Sequence, residues 1–202
     1  MMKQSGILDR VKRIGILASY NGSGFQIIKK ACDELILDAQ VVVLVSNNSN
    51  ANALETAEQM QIPNFIINSK RYPDENIDEK IAKLFKEFNC DYIFCSGYMK
   101  IIGSKLISSF EEKIINTHPA LLPSKYGGKG MYGRFVHEAI IKNKEKKSGV
   151  TIHFVNEKYD DGKIILKKEL ELSSDETVDT LENRIKDLES VAIIEAFKKL
   201  LA

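Results

Sequence analysis

Apolar residues along this chain fall into short blocks, and the blocks alternate between two kinds. The first, IGILAS from Ile14 to Ser19, is continuous and stops at the turn residues YNGSG. A short apolar run bounded by glycines reads as a buried strand. A stripe at three- and four-residue steps follows, with Phe25, Ile28, Ala31 or Cys32 and Leu35 on one side and Lys29, Lys30, Asp33 and Glu34 on the other. That spacing is an amphipathic helix. VVVLVS, Val41 to Ser46, is β-branched and unalternating, as expected of a parallel strand covered on both faces. The pattern then predicts a helix over Ala51 to Met60, a short strand over Phe65 to Ile67 and a helix over Asp74 to Phe88. In that last helix Ile77, Ile81, Leu84 or Phe85, and Phe88 face inward, and the next strand lies in DYIFCSG. Parallel neighbours need crossover helices, so this order predicts an α/β fold: an open, mostly parallel twisted sheet with helices on both faces.

The rhythm changes after position 110. KIINTHPALLP is a brief strand ended by Pro119, and KYGGKGMYG, Lys125 to Gly133, carries four glycines in nine residues and reads as a loop. A short helix over Val136 to Asn143 leads into VTIHFVN and, across EKYDDG, into KIILKKEL. Those two strands are close enough in sequence to pair as a C-terminal antiparallel hairpin. A final helix has Val178, Leu181, Ile185, Leu188 and Ala192 inward, with Ser174 or Asp175 placed to cap it. No linker or internal repeat interrupts the chain, so residues 1–202 are expected to be one domain, with 1–12 as a charged leader.

Composition narrows the function classes. At 202 residues, 44% hydrophobic and 28% charged, the chain can bury a core without disulfides. Lys plus Arg is 29 against 28 for Asp plus Glu, a net charge of +1, so bulk electrostatics favour neither nucleic acid nor a membrane surface. No segment approaches the roughly 18 apolar residues of a membrane span, and no signal peptide is recognisable at the start. A cytoplasmic protein acting on small molecules is the expectation, as a monomer or homodimer. Cys32, Cys90 and Cys95 lack a C-x-x-C spacing and read as reduced core thiols. The three histidines are scattered over different elements, so no metal site is expected.

Three segments could carry chemistry. Asn21, Gly22, Ser23 and Gly24 join the first strand to the first helix. Glycines there let backbone N–H groups approach a ligand, and the helix N-terminus adds about half a positive charge, which suits a phosphate. A plain tight turn explains the same residues. In Asn116-Thr117-His118-Pro119, residues two apart on an extended segment share a face, so Asn116 and His118 point together and can both address a developing oxyanion. A hydrogen-bonded core histidine is the alternative. Tyr159-Asp160-Asp161-Gly162 is an ordinary turn by composition. A carboxylate there, brought near an imidazole, would favour the imidazolium and help move a proton. Asn, His and Asp together suit acyl transfer to an amine, and no Ser or Cys sits in a nucleophile elbow, so direct transfer fits better than a covalent intermediate. His137 and His153 are expected to be structural, and Lys186 and Glu189, three apart on the last helix, to be a surface ion pair.

Taken together these segments resemble the folate-dependent formyltransferase family over nearly the whole chain. Asn116 to Pro123, NTHPALLP, is similar to the family's signature, and HFVNEKYDDGKIIL to its later catalytic segment. KYGGKGMYG resembles a loop of one bacterial branch that acts in purine biosynthesis. The resemblance implies a Rossmann-like formyltransferase fold. It also implies transfer of a formyl group from 10-formyltetrahydrofolate, a co-substrate, to the glycine amine of glycinamide ribonucleotide by direct attack, with no metal. It assigns catalysis to Asn116, His118 and Asp160, the ribonucleotide and its phosphate to Asn21, Gly22, Ser23, Gly24, Lys186 and Glu189, and the folate to Tyr98, Met99, Lys100, Ile101 and Ile102. The chain departs from the family's usual residues at Tyr20, Gly24 and Lys100. Two other readings stay open. One is a related formyl-folate enzyme, an amino-sugar formyltransferase or a formyltetrahydrofolate hydrolase; the other is a noncatalytic domain that binds a phosphometabolite.

Overall fold

The computed structural model describes residues 10–202, so most of the charged leader lies outside the described residues. Seven strands form one sheet in the order β3-β2-β1-β4-β5-β6-β7. They are β1 (Lys12–Ala18), β2 (Ala39–Ser46), β3 (Asn64–Ile66), β4 (Tyr92–Ser96), β5 (Ile114–His118), β6 (Lys147–Phe154) and β7 (Ile164–Glu171). The first five run parallel, while β6 is antiparallel to β5 and β7 to β6. The helices are α1 (Ser23–Asp33), α2 (Asn52–Gln59), α3 (Ile77–Glu87), α4 (Ser104–Ser109), α5 (Arg134–Lys142) and α6 (Val178–Leu201). The expected open sheet with its C-terminal antiparallel hairpin is therefore the fold observed.

Strand alternation sorts the core into two layers. Ile14, Ile16, Phe94, Ile115, Val150 and Ile152 point to one face, where they pack with α1, α2, α5 and α6. Leu17, Val43, Val45, Ile93, Cys95 and Ile114 point to the other, against α3 and α4. Strands covered on both faces are uniformly apolar, which is why β1 and β2 showed no alternation in sequence.

Three local readings change, the first being Leu35: expected on the inward stripe of the first helix, it lies past the end of α1 at φ 57° and is exposed, because the chain turns there. α4 was not visible in the sequence, because six residues with one buried side chain, Leu106, make too little of a period to register. The cap of α6 is Thr177 rather than Ser174 or Asp175: its hydroxyl accepts from the Thr180 N–H at 3.2 Å while the Thr180 hydroxyl accepts from the Thr177 N–H at 2.9 Å. A reciprocal pair satisfies two backbone donors, where an upstream Ser or Asp would satisfy one.

Strand order reverses between β1 and β4, and ligands of open α/β sheets lie at such a reversal beyond the strands' C-terminal ends. The loops leaving β1 and β4 are stitched together there. Ser19 N–H donates to Gly97 O at 3.3 Å, Met99 N–H to Ser19 Oγ at 2.8 Å, and Phe25 N–H to Ser96 Oγ at 2.9 Å.

Candidate active site

β5 and β6 bring together what the sequence held apart. Their register pairs Asn116 with His153 and His118 with Thr151, so Asn116, His118 and His153 share one face of the sheet while Thr117 faces the other. The turn between β6 and β7 then folds Asp160, at φ 53°, over the same face. Asp160 Oδ2 lies 3.5 Å from His118 Nδ1, and its Oδ1 lies 3.6 Å from His153 Nε2. Asn116 Nδ2 is 3.3 Å from His153 Nε2.

Backbone carbonyls assign the protons on both rings, because a carbonyl only accepts. His118 Nε2 sits 2.6 Å from Tyr126 O, so Nε2 carries the hydrogen and Nδ1 faces the carboxylate. His153 Nδ1 sits 2.8 Å from Phe154 O, so Nδ1 carries a hydrogen, and Nε2 faces both the Asn116 amide and the Asp160 carboxylate. The second Asn116 N–H is left for a ligand. Burial holds His118 below the usual histidine range, against the opposing pull of Asp160 and the Tyr126 carbonyl. For Asp160 burial pushes upward, but His153, His118 and the Gly128 N–H outweigh it and keep the carboxyl below its usual value. Both shifts favour an ionised Asp160 beside a ring that takes up a proton only when something supplies a reason.

Beside this cluster opens a cavity of about 110 Å³ lined by Tyr98, Lys100, Ile101, Ile102, Val155, Asn116, His153 and Asp160, among others. Four of the five expected folate residues line it. Met99 is instead half-exposed, with its backbone N–H given to Ser19. Asn116 and Asp160 face the cavity, whereas His118 is 3% exposed and stands behind them. Ile101, Ile102 and Val155 share its walls with Lys100, Asn156, Glu157 and Lys158, a mixed lining that suits a small ligand with both a flat apolar part and polar groups.

The glycine turn lies at the next strand end. Gly22 caps α1 in the left-handed region, at φ 65°, and the N–H groups of Ser23 and Gly24 have no hydrogen-bond partner among the described residues. That leaves two backbone donors at a helix N-terminus, as an anion requires. Gly24 also answers its own departure: a Cβ there would lie 2.7 Å from the Phe94 ring, so this position packs α1 onto β4. The Tyr20 side chain is exposed.

One expectation is overturned. Lys186 and Glu189 are not a surface pair, since Lys186 joins Glu182 at 2.7 Å, while burial pushes the half-buried Glu189 carboxyl up. His153, expected to be structural, touches both Asn116 and Asp160. Its T-I-H-F-V alternation placed it on one face, but only the pairing register says which face. The three cysteines are free, and burial pushes the Cys32, Cys90 and Cys95 thiols up to about 11, 12 and 12, which leaves them poor nucleophiles at neutral pH. Among the described residues no group of three or more metal-ligating side chains forms.

Residues 12–197 match the formyl transferase family model. The chain belongs to the formyl transferase family. Among curated proteins this formyl transferase chain is 33% identical, over 95% of both chains, to phosphoribosylglycinamide formyltransferase of Bacillus subtilis. It is 34% identical over 87% of its length to the chloroplastic phosphoribosylglycinamide formyltransferase of Arabidopsis thaliana, of whose length it spans 61%. The crystal structure of phosphoribosylglycinamide formyltransferase from Bacillus halodurans superposes with a TM-score of 0.85 at 29% identity, covering 95% of this chain and 96% of that one. The family match thus extends over the whole sheet, including the strands that carry Asn116, His118 and His153.

Proposed function

We propose that this formyl transferase passes a formyl group from 10-formyltetrahydrofolate to the amine of glycinamide ribonucleotide, as the names of its relatives suggest. The observation that carries the reading is the meeting of Asn116, His118 and Asp160 beside a cavity, two strand ends away from a helix N-terminus with open N–H groups. Tyr98, Lys100, Ile101 and Ile102 would hold the folate, with Met99 on the same loop, and Asn21, Gly22, Ser23 and Gly24 the phosphate. When bound, the folate supplies a one-carbon acyl unit on nitrogen. The free N–H of Asn116 donates to the carbonyl oxygen as it gains charge, a contact stronger in the transition state than before it. His118, its Nε2–H held by the Tyr126 carbonyl, protonates at Nδ1 toward Asp160; the imidazolium's positive charge then favours the developing oxyanion, and the Asp160 carboxylate stabilises that imidazolium and takes part in moving the amine's proton through water. Glu189 and Lys186 are read as contacts to the acceptor's sugar side, supported by the half-burial of Glu189 on α6.

The reading extends to a cytoplasmic enzyme of small-molecule substrates, as a monomer or homodimer, and the near-zero net charge supports small molecules over nucleic acid. The test is to mix purified protein with both substrates, following folate deformylation by absorbance and formylated ribonucleotide by mass, with an acceptor-free control. Acceptor-dependent product is expected. Deformylation without acceptor would replace the reading with a hydrolase, and binding of both ligands without turnover would replace it with a noncatalytic domain.

A further inference from the structure

The glycine-rich loop between β5 and α5 touches the catalytic cluster at two points. Tyr126 O accepts from His118 Nε2 at 2.6 Å, and Gly128 N–H donates to Asp160 Oδ2 at 2.8 Å. Both atoms belong to the backbone, so any displacement of this short segment would release both side chains together. What holds the segment lies on its far side. The Tyr126 ring is 8% exposed and packs in the core layer of α5 and α6, and its hydroxyl donates to Glu145 Oε1 at 2.5 Å, just beyond the end of α5. Lys125 Nζ reaches the same Glu145 oxygen at 3.1 Å and lies 5.1 Å from the centre of the Tyr126 ring. A hydrogen bond from the loop's beginning to the chain after its end closes the segment into a ring of contacts. Beyond Gly128 the loop is held by Met131, which packs against the same core layer and donates its N–H to Gly128 O at 3.1 Å. Gly128, Gly130 and Gly133 all have positive φ with open space where a Cβ would stand, a backbone path that glycine adopts at no steric cost.

We propose that Tyr126 is a positioning residue whose hydroxyl, held by Glu145 and Lys125, latches the loop so that its carbonyl and the Gly128 N–H clamp His118 and Asp160 in one geometry. The clamp sets which ring nitrogen of His118 carries the hydrogen and which faces the carboxylate. Its catalytic consequence rests on the formyl transfer reading, but the clamp itself is a property of the free protein. Tyr126→Phe removes the hydroxyl and leaves the buried ring, Glu145→Ala removes the acceptor, and Glu145→Gln keeps an acceptor for the hydroxyl as the conservative control.

The test is NMR of the ligand-free protein, reading hydrogen exchange at the Gly128 amide and the imidazole nitrogen shifts of His118. The parent is expected to show a protected Gly128 amide and a single Nε2–H form of His118. In Tyr126→Phe and Glu145→Ala, Gly128 exchange should accelerate roughly tenfold or more, as loss of a hydrogen bond to a charged group implies, and the His118 shifts should move toward the averaged values of a freely exchanging ring. Glu145→Gln should recover most of both. Parent-like exchange and parent-like His118 shifts in Tyr126→Phe would overturn the latch, whether or not Glu145→Ala folds. Neither readout needs substrate, so an inactive parent enzyme would count against the formyl transfer reading and leave the clamp standing.

Discussion

Asn116 has two amide hydrogens and, among the described residues, one side-chain partner, His153. Replacing it with Ala removes the free donor while the strand that carries it keeps its backbone pairing, so kcat should fall on the order of 10²-fold or more with little change in KM for the formyl donor. Steady-state kinetics with the donor varied would show it, and near-normal kcat would remove Asn116 from the mechanism. His118 and His137 lead to a second expectation. Burial lowers both imidazoles, in His118 against Asp160 and in His137 against Glu182. A ring with a depressed pKa binds fewer protons folded than unfolded, so its contribution to stability is full above the unfolded value of about 6.5 and drains as pH falls through the folded value. Asp160, also depressed, acts in the same sense in a lower window, below about pH 4. Thermal melts should therefore show Tm falling as the solution is acidified from neutral. Among the described residues His137 Nδ1 is buried without a partner, so His137→Leu should flatten that slope at little cost in Tm; an unchanged slope would shift the dependence to His118.

Elements decide where these residues stand. β5 ends at His118, and the turn after β6 has to fold back for Asp160 to reach it, which depends on Gly162. A Cβ there would lie 1.7 Å from the Phe154 carbonyl oxygen, a backbone atom that cannot swing aside. Gly162→Ala should displace the turn that carries Asp160, lowering kcat on the order of 10²-fold through geometry alone. Far-UV circular dichroism should stay close to the parent's, and parent-like kinetics would show that the turn adapts. At α6 the reciprocal Thr177 and Thr180 bonds satisfy backbone donors at an exposed helix start. Thr177→Ala should cost about 1 kcal/mol in denaturant unfolding, with an unchanged m-value. A loss well below that would mean water replaces the cap.

At the scale of the molecule, one sheet serves both core layers. Phe94 packs edge-on against Phe197 at 5.6 Å on the α6 side, while its neighbours Ile93 and Cys95 fill the α3 side. Neither layer can lose its helices without exposing the strands that line the other. Unfolding is therefore expected in one transition, with circular dichroism and tyrosine fluorescence coinciding, since the chain has no tryptophan. Separated transitions would argue for more than one folding unit within residues 10–202.

Apolar periodicity by itself determined the fold class: IGILAS, VVVLVS and DYIFCSG are uniformly apolar because strands buried on both faces leave no polar side. Spacing of two also put Asn116 and His118 on one face, since pleat alternation is local. The roles expected of them came with the resemblance of NTHPALLP to a family, and periodicity had no part in that. What only the tertiary structure decided are relations between distant segments. The β5 to β6 register brought His153 to Asn116, the turn after β6 brought Asp160 to His118, and packing half-buried Glu189 instead of pairing it with Lys186. The hold of Tyr126 on His118 is less legible still. It is made by a backbone carbonyl, which every residue carries and no residue type announces.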